Sequence, residues 1–104
     1  MSQPETDLVN RIRKAVKAEF PDAYVVKIHG GPYQSGGLPD LAVILHGRYY
    51  GFEVKKQRLG ESAEHAYGRA TIRQRKRIAD LRAAGAVAAV VLSADEVLAA
   101  LRSS

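Results

Sequence analysis

The chain has 104 residues, enough for one domain spanning residues 1–104 and too few for two. Apolar residues make up 46% of it and charged residues 26%, which is typical of a globular protein and excludes a disordered or fibrous one. Its 16 Lys and Arg exceed its 11 Asp and Glu, so the net charge of +5 favours an anionic partner, with nucleic acid as the first candidate. The absence of cysteine excludes disulfides and thiolate zinc sites.

Neither a secretory signal nor a membrane span is expected. The N-terminal stretch MSQPETDLVN carries acidic residues and lacks the apolar segment of a signal peptide. The longest apolar stretches, LAVIL and AVAAVVL, are far shorter than the roughly 20 residues that cross a bilayer. These features predict a soluble intracellular protein without membrane contact.

The first part of the chain predicts a helix and a strand. Ser2 and Glu5 form an S-x-x-E capping box, and apolar residues then recur at helical spacing as far as Phe20. The following Pro-Asp pair ends this helix, and the β-forming residues 23–29 predict a strand. Residues 30–39 contain four glycines and two prolines, which predicts a loop.

The rest of the chain predicts a hairpin, a helix, a strand and a last helix. Residues 41–45 are continuously apolar, as in a strand buried on both faces, and residues 49–55 form the next strand after a tight connection. Residues 57–68 are polar and predict an irregular segment, whereas the stretch that follows predicts a helix over 70–84. The clearest apolar positions of this helix are Ile72, Ile78 and Leu81, and Gly85 is expected to end it. A strand is predicted over 87–92, and a second capping box at Ser93 and Glu96 begins the last helix.

Charged residues in the third predicted strand point to a functional site. Because strand side chains alternate, Glu53 and Lys55 share one face of the sheet, while Phe52 and Val54 share the other. Charges on a central strand are costly unless they are paired or bound to a metal. The alternative is an ordinary solvated strand face, because E-x-K triplets are common.

Asp40 is expected to lie close to the carboxylate of this triplet. Two hairpin registers, in which Tyr49 pairs with Leu45 or with His46, put Asp40 opposite Val54 or opposite the residue after it. Two carboxylates and a lysine at one point favour Mg²⁺ or Mn²⁺ over Zn²⁺. Asp40 follows a proline, so a simple role in a turn is the alternative.

The spacing of Pro39-Asp40, then twelve residues, then Glu53-Val54-Lys55 resembles the signature of the PD-(D/E)XK nuclease superfamily. The order of SGGLPDL, GFEVKK, a helix with Gln74, and a glycine before an apolar strand is similar to the VRR-NUC family over nearly the whole chain. The resemblance implies the α/β class, as an α+β sandwich. Its restriction-endonuclease-like αβββαβ core would hold a four-stranded mixed sheet flanked by helices, with a C-terminal helix added.

The resemblance also implies an activity and a setting. Members similar to this chain are Mg²⁺- or Mn²⁺-dependent DNA endonucleases, and compact stand-alone ones resemble Holliday junction resolvases and act as homodimers. We therefore expect a structure-specific endonuclease that acts on branched or duplex DNA in the cytoplasm of a bacterium or a phage-infected host cell. The alternatives are a catalytically silent nucleic-acid-binding module and a nuclease subunit that needs a partner.

By resemblance, Asp40 and Glu53 ligate the metal, with the backbone carbonyl of Val54 as a third ligand. Lys55 orients or deprotonates the attacking water, or stabilises charge on the phosphate. The expected chemistry is phosphodiester hydrolysis, because a bound metal lowers the pKa of water and, together with a lysine, neutralises developing charge.

Two further catalytic residues are implied by the same resemblance. Glu5 reaches the metal through water or helps to bind a second ion, although its place in the capping box is an alternative role. Gln74 positions Lys55 or the water. The expected nucleic-acid contacts are Lys56, Arg58, Arg69, Arg73, His29 and Gln34.

Overall fold

The structure, a computed structural model, describes residues 4–28 and 38–103. No helix within these ranges is long and apolar enough to cross a membrane. The elements, in chain order, are α1 (Pro4–Glu19), β1 (Tyr24–Lys27), β2 (Leu41–Leu45), β3 (Arg48–Val54), α2 (Ala63–Gly68), α3 (Ile72–Ala83), β4 (Val87–Val91) and α4 (Ala94–Arg102).

The four strands form one mixed sheet in the order β1-β2-β3-β4. β2 pairs antiparallel with both β1 and β3, whereas β3 pairs parallel with β4. The parallel pair is connected through α2 and α3, since a parallel crossover needs a long connection. β3 is therefore an inner strand with a partner on each side, and the predicted α+β sandwich with a four-stranded mixed sheet is confirmed.

The main hydrophobic core lies between one face of the sheet and the helices α1 and α4. The apolar stripe of α1 packs there because Ile12 and Val16 recur at helical spacing, and both are fully buried. Alternate residues of β3 point to the same side, where the Tyr50 and Phe52 rings lie 6.3 Å apart between centroids. The opposite face of β3 is therefore left for other side chains.

α3 covers that opposite face closely although none of its residues is buried. A methyl group at Gly51 of β3 would lie 3.0 Å from Cδ1 of Leu81, so the glycine lets the helix approach the sheet. At the C-terminal end of α3, Gly85 takes a φ of 95°, as the sequence predicts for the residue that ends this helix. α3 is thus held near the strand that carries the charged triplet.

The β2–β3 hairpin turns at residues 46–47, a position that neither predicted register has. His46 and Gly47 both have positive φ, 51° and 78°, which is the pattern of a two-residue type I′ turn. Leu45 consequently pairs with Arg48 and Leu41 with Phe52. Both predicted pairings of Tyr49 are wrong, because they place the turn at residues 46–48 or 47–48 rather than at residues 46–47.

Three other expectations are corrected. Residues 57–68 are not irregular throughout: Ser62 caps α2 by accepting a hydrogen bond from the backbone amide of His65. Ile72, expected on the apolar side of α3, is 86% exposed at the start of the helix. The strand at 41–45 is not buried on both faces, since Ile44 is 43% exposed beyond the part of the sheet that α3 covers.

Candidate active site

Asp40 is fixed by hydrogen bonds to the strands on both sides of it. It directly precedes β2, and its carbonyl accepts a hydrogen bond from the backbone amide of Ile28 at 2.9 Å. Its carboxylate oxygen Oδ2 accepts another from the backbone amide of Val54, also at 2.9 Å. The Asp40 side chain therefore accepts the hydrogen bond from β3 that a backbone carbonyl of a neighbouring strand would otherwise accept.

Glu53 lies next to Asp40 and is buried. It is 4% exposed and is the one charged residue in the buried part of the described chain. Burial is the main reason why the pKa of Glu53 rises to about 8, and the hydrogen bond with Asp40 and the charges of Asp40 and Glu5 raise it further. The ammonium of Lys55 lowers it. Two carboxyl groups and a lysine thus interact at one place.

The donor set suits a small divalent cation. Two neighbouring carboxyl groups, one of them buried, resist ionising together, and a cation between them removes that penalty. Within residues 4–28 and 38–103, no group of three or more His, Asp or Glu side chains gathers as a metal cluster. Mg²⁺ is often held by one or two carboxylates, with waters and substrate phosphate completing its coordination, so a pair of carboxylates is sufficient.

Gln74 connects α3 to Glu53. Its Nε2 donates a hydrogen bond to Glu53 Oε1 at 2.7 Å, and its Oε1 accepts one from the backbone amide of Thr71 at 2.9 Å. The Thr71 hydroxyl accepts in turn from the backbone amide of Gln74, completing a capping box at the start of α3. The sequence interpretation gave Gln74 a role beside Lys55 or water, whereas the contact found is with Glu53.

Glu5 lies in the first turn of α1 and is half-buried. Its negative charge raises the pKa of both Glu53 and Arg69, which indicates that it faces the same region. Its expected capping partner, Ser2, lies outside the described residues. The carboxylate of Glu5 is therefore at the flank of the Asp40–Glu53 pair.

The segment between β3 and α3 is organised by Glu61. Its carboxylate accepts hydrogen bonds from the backbone amide of Arg58 and from the guanidinium of Arg69, and it contacts the His65 ring. These partners lower the pKa of Glu61 to about 2, with Arg69 the largest cause. Arg69 also donates to the carbonyl of Lys56. This cluster of Glu61 with its partners, the Glu61 clamp, fixes the chain that follows Lys55.

The expected nucleic-acid contacts differ in their surroundings. Lys56 and Arg58 are exposed directly after β3, and Arg73 is exposed on α3. The Arg69 side chain is 18% exposed and is engaged by Glu61. His29 and Gln34 lie outside the described residues.

Sequence reasoning missed two contributors to the site. Thr71 and Gln74 form a T-x-x-Q capping box, a pattern that could have been read from the sequence. Glu61 and Arg69 are eight residues apart across a turn and α2, and no local pattern predicts that pairing.

Comparisons with known proteins give one informative match. No protein-family model and no curated protein matches the chain. A solved structure described as a VRR_NUC domain is similar to it over 89% of this chain and 92% of that chain. The two share 28% sequence identity and superpose with a TM-score of 0.58. The similarity therefore extends over nearly the full length of both chains.

Proposed function

We propose that this chain is a divalent-metal-dependent nuclease of the VRR-NUC family that hydrolyses phosphodiester bonds in DNA, and its similarity to a solved VRR_NUC domain supports this. The observation that carries the proposal is the contact between Asp40 and the buried Glu53, with Lys55 on the same side of the strand. A buried carboxyl group next to a second carboxyl group lowers the stability of the metal-free fold, so its presence is better explained by a cation than by packing.

In the proposed site, Asp40 and Glu53 hold Mg²⁺ or Mn²⁺, and the Val54 carbonyl is the third protein ligand. When bound, the ion supplies a water of lowered pKa and offsets charge on the scissile phosphate. Lys55 orients or deprotonates the attacking water, or stabilises the phosphate as negative charge develops. These roles are supported by the shared face of Glu53 and Lys55.

The carboxamide of Gln74 and the carboxylate of Glu5 act at the edge of the proposed site. Gln74 keeps the carboxylate of Glu53 in place, as its 2.7 Å hydrogen bond supports. Glu5 reaches the ion through water or assists a second ion, and its effect on the pKa of Glu53 is consistent with that position.

We further propose that the substrate is branched DNA and that the enzyme acts as a homodimer. The net charge of +5 suits a polyanion. A chain of 104 residues offers little surface with which to grip a branch, and two active sites would suit paired nicks. The exposed Lys56, Arg58 and Arg73 are the first candidates for phosphate contacts.

The deciding experiment is a cleavage assay with four DNA substrates: a four-way junction, a flap, a nicked duplex and a linear duplex. Each is tested with Mg²⁺, Mn²⁺ and a chelator, for the wild type and for Asp40→Asn and Glu53→Gln. We expect metal-dependent cleavage that both substitutions abolish, with the junction cut fastest. Cleavage that is equal in the variants would refute the proposed site. Metal-independent DNA binding without cleavage would favour a silent binding module instead.

A further inference from the structure

Leu59 has the most exposed large apolar side chain in the described part of the chain. Its relative exposure is 107%, so the side chain lies entirely in water. A single exposed apolar residue is common on protein surfaces and by itself indicates no function. Leu59 differs because the backbone that carries it is fixed, and because cations and the candidate active site adjoin it.

A tight turn holds Leu59 at its corner. The backbone amide of Glu61 donates a hydrogen bond to the carbonyl of Arg58 at 3.0 Å, which closes a turn with Leu59 and Gly60 as its central residues. Gly60 has a φ of 79°, as the third position of a type II turn requires. The turn therefore presents Leu59 to the solvent in one defined position.

The Glu61 clamp fixes this turn from both sides. Oε1 of Glu61 accepts a hydrogen bond from the backbone amide of Arg58 at 2.9 Å, and its carbonyl accepts one from Nε2 of Gln57 at 2.7 Å. Nε of Arg69 donates to Oε2 of the same carboxylate at 2.8 Å. Because the turn is already ordered, a contact made by Leu59 costs little further conformational entropy.

The turn lies at the end of β3 that carries the candidate active site. Three residues separate Leu59 from Lys55, so their α-carbons are at most ~14 Å apart. The clamp also faces the site, because the charge of Glu5 acts on both Arg69 and Glu53. At ~3.4 Å per base-pair step, Leu59 reaches DNA within about four base pairs of a phosphate bound beside the carboxylates.

The charges around Leu59 indicate the kind of surface that it meets. Arg58 directly precedes it and Lys56 lies three residues before it, and both are exposed. Residues 55–60 contain three cations and no carboxylate. Proteins that insert an apolar wedge between the base steps of DNA combine such a side chain with cations that contact the adjacent phosphates. A protein partner would instead require several apolar side chains at the centre of the interface.

A branch is the place where a wedge can enter DNA most easily. Insertion into a linear duplex requires the unstacking of two neighbouring base pairs. At the exchange point of a four-way junction, the stacking between neighbouring arms is already interrupted, so less stacking is lost. A wedge beside the active site therefore favours the junction over a linear duplex, in agreement with the expected order of cleavage rates.

We propose that Leu59 is a wedge that inserts against the base pair at the branch point of the DNA substrate, while Arg58 contacts the adjoining phosphates. This inference rests on the proposed nuclease function and deepens it, because it makes Leu59 the residue that selects branched over linear DNA. Leu59 takes no part in the hydrolysis itself. The Glu61 clamp holds the turn in place for this contact.

Insertion is measured with a four-way junction that carries 2-aminopurine in the base pair next to the exchange point, because the fluorescence of this base rises when it is unstacked. Every protein in this assay carries Glu53→Gln, so cleavage cannot change the signal. We expect the protein to raise the fluorescence, and the Leu59→Ala variant to lose most of that rise. Leu59→Met is expected to retain it, since methionine also serves as a wedge.

Leu59→Lys separates insertion from binding. Its added charge is expected to keep or strengthen junction binding, measured by fluorescence anisotropy, because phosphate contacts dominate affinity. The fluorescence rise is nevertheless expected to be lost, because an ammonium does not stack against a base pair. A Leu59→Lys variant with a full fluorescence rise would contradict the wedge.

Cleavage rates test the selection of substrate in proteins that keep Glu53. Leu59→Ala is expected to slow cleavage of the junction about tenfold, the lower end of what the lost burial of a leucine side chain predicts, and to change cleavage of the linear duplex less than about twofold. The matched control is Ile72→Ala, because Ile72 is also aliphatic and is 86% exposed, at the start of α3 rather than on the clamped turn. It is expected to change either rate less than about twofold, as is typical of exposed positions.

Four results would overturn the inference. These are a full fluorescence rise in Leu59→Ala, equal losses in Leu59→Ala and Ile72→Ala, an equal slowing of junction and linear duplex cleavage in Leu59→Ala, and a lower oligomeric mass of Leu59→Ala by light scattering. The last result would show that Leu59 contacts a second copy of the chain. Thermal melts verify that each variant is folded, because substitutions of exposed residues change the melting temperature little.

The inference and the proposed function can fail separately. If the wild type cleaves no DNA but the Leu59 variants lose the fluorescence rise, the nuclease proposal fails and the wedge inference holds. If the wild type cleaves DNA and Leu59→Ala keeps the full rise, the wedge inference alone is wrong.

Discussion

Gln74 donates a hydrogen bond from Nε2 to Oε1 of Glu53 at 2.7 Å, across the interface between α3 and the sheet. The other end of the same amide is engaged by the backbone of Thr71. The cap that begins α3 therefore also orients the buried carboxylate. A helix with no buried residue of its own is in this way connected to the candidate site.

Replacing Gln74 by alanine is expected to reduce cleavage about 10- to 100-fold, because loss of a group that orients a metal ligand typically has effects of this size. Thr71→Val removes the hydroxyl that completes the cap and is expected to have a smaller effect in the same direction. Initial rates over a Mg²⁺ titration separate a weaker metal affinity from a slower chemical step.

Thr71→Ser keeps the hydroxyl and serves as the matched variant, with activity expected near that of the wild type. Lys76→Ala tests whether any change in α3 has the same effect, because Lys76 is exposed on that helix. A Gln74→Ala enzyme with normal metal affinity and a normal rate would contradict the positioning role.

The raised pKa of Glu53 predicts an unusual dependence of stability on pH. Its pKa is about 8 in the folded chain against 4.5 for an ordinary glutamate, so the folded state retains a proton that the unfolded state releases. The metal-free protein is therefore expected to lose stability as the pH rises from about 4.5 to about 8. Melting temperatures measured in chelator across this range test the slope.

Glu53→Gln is expected to remove that slope and to melt higher than the metal-free wild type at pH 8. Mg²⁺ is expected to raise the melting temperature of the wild type more at pH 8 than at pH 5, and to leave Glu53→Gln unchanged, because binding to the folded state alone stabilises it. Asp80→Asn, which changes an exposed carboxylate of α3, is the control. A wild type whose metal response is the same at both pH values would argue against a metal on this pair.

Lys55→Gln separates catalysis from metal binding. We expect cleavage to fall by roughly 10²- to 10⁴-fold, the usual contribution of a positioned proton-transfer group. Mg²⁺ affinity, measured by calorimetry, is expected to be kept or to increase, because the lysine charge opposes a cation near Glu53. The control is Arg48→Gln, at the exposed start of β3. Loss of metal binding in Lys55→Gln would assign the lysine a structural role instead.

The Glu61 clamp predicts a second effect of pH, with the opposite sign. The pKa of Glu61 is lowered from 4.5 to about 2, mainly by the hydrogen bonds of Arg69, so its contribution to stability is present above pH 4.5 and is lost as the pH falls toward 2. Glu61→Gln is expected to speed hydrogen exchange of the amides between residues 56 and 69. Glu64→Gln, an exposed change on α2, is expected to leave exchange in this segment unaltered.

Much of the fold could be predicted because its signals are local. Periodicity alone predicts the apolar stripe of α1 and the strands at 41–45 and 87–91. It also predicts that Glu53 and Lys55 lie on the same face of their strand. The proximity of Asp40 to Glu53 was also predictable, because both lie in one hairpin. The pairing of Tyr49 was not, since the length and the position of the turn decide the register, and composition alone does not distinguish a turn at 46–47 from one at 47–48 or 46–48.

Contacts between segments that are far apart in the sequence could not be predicted from local sequence patterns. The interpretation of Gln74 identified the residue but not its partner, because which side chain a helix meets depends on how closely it packs. Here Gly51 sets that approach. Arg69 was similarly predicted to contact nucleic acid, because nothing in the sequence indicates a partner for it, whereas the fold pairs it with Glu61.

The turn at His46 and Gly47 has a consequence for how this site can change. It lies six residues from Asp40, or ~20 Å along a strand, yet it decides which residues face each other across the hairpin. An inserted residue that the strand absorbs by slipping its register would turn Asp40 to the opposite face of the sheet and leave Glu53 alone. The site should therefore tolerate substitutions in this turn far better than a change in its length, and a remote insertion there would remove the activity while every proposed catalytic residue remained in the sequence.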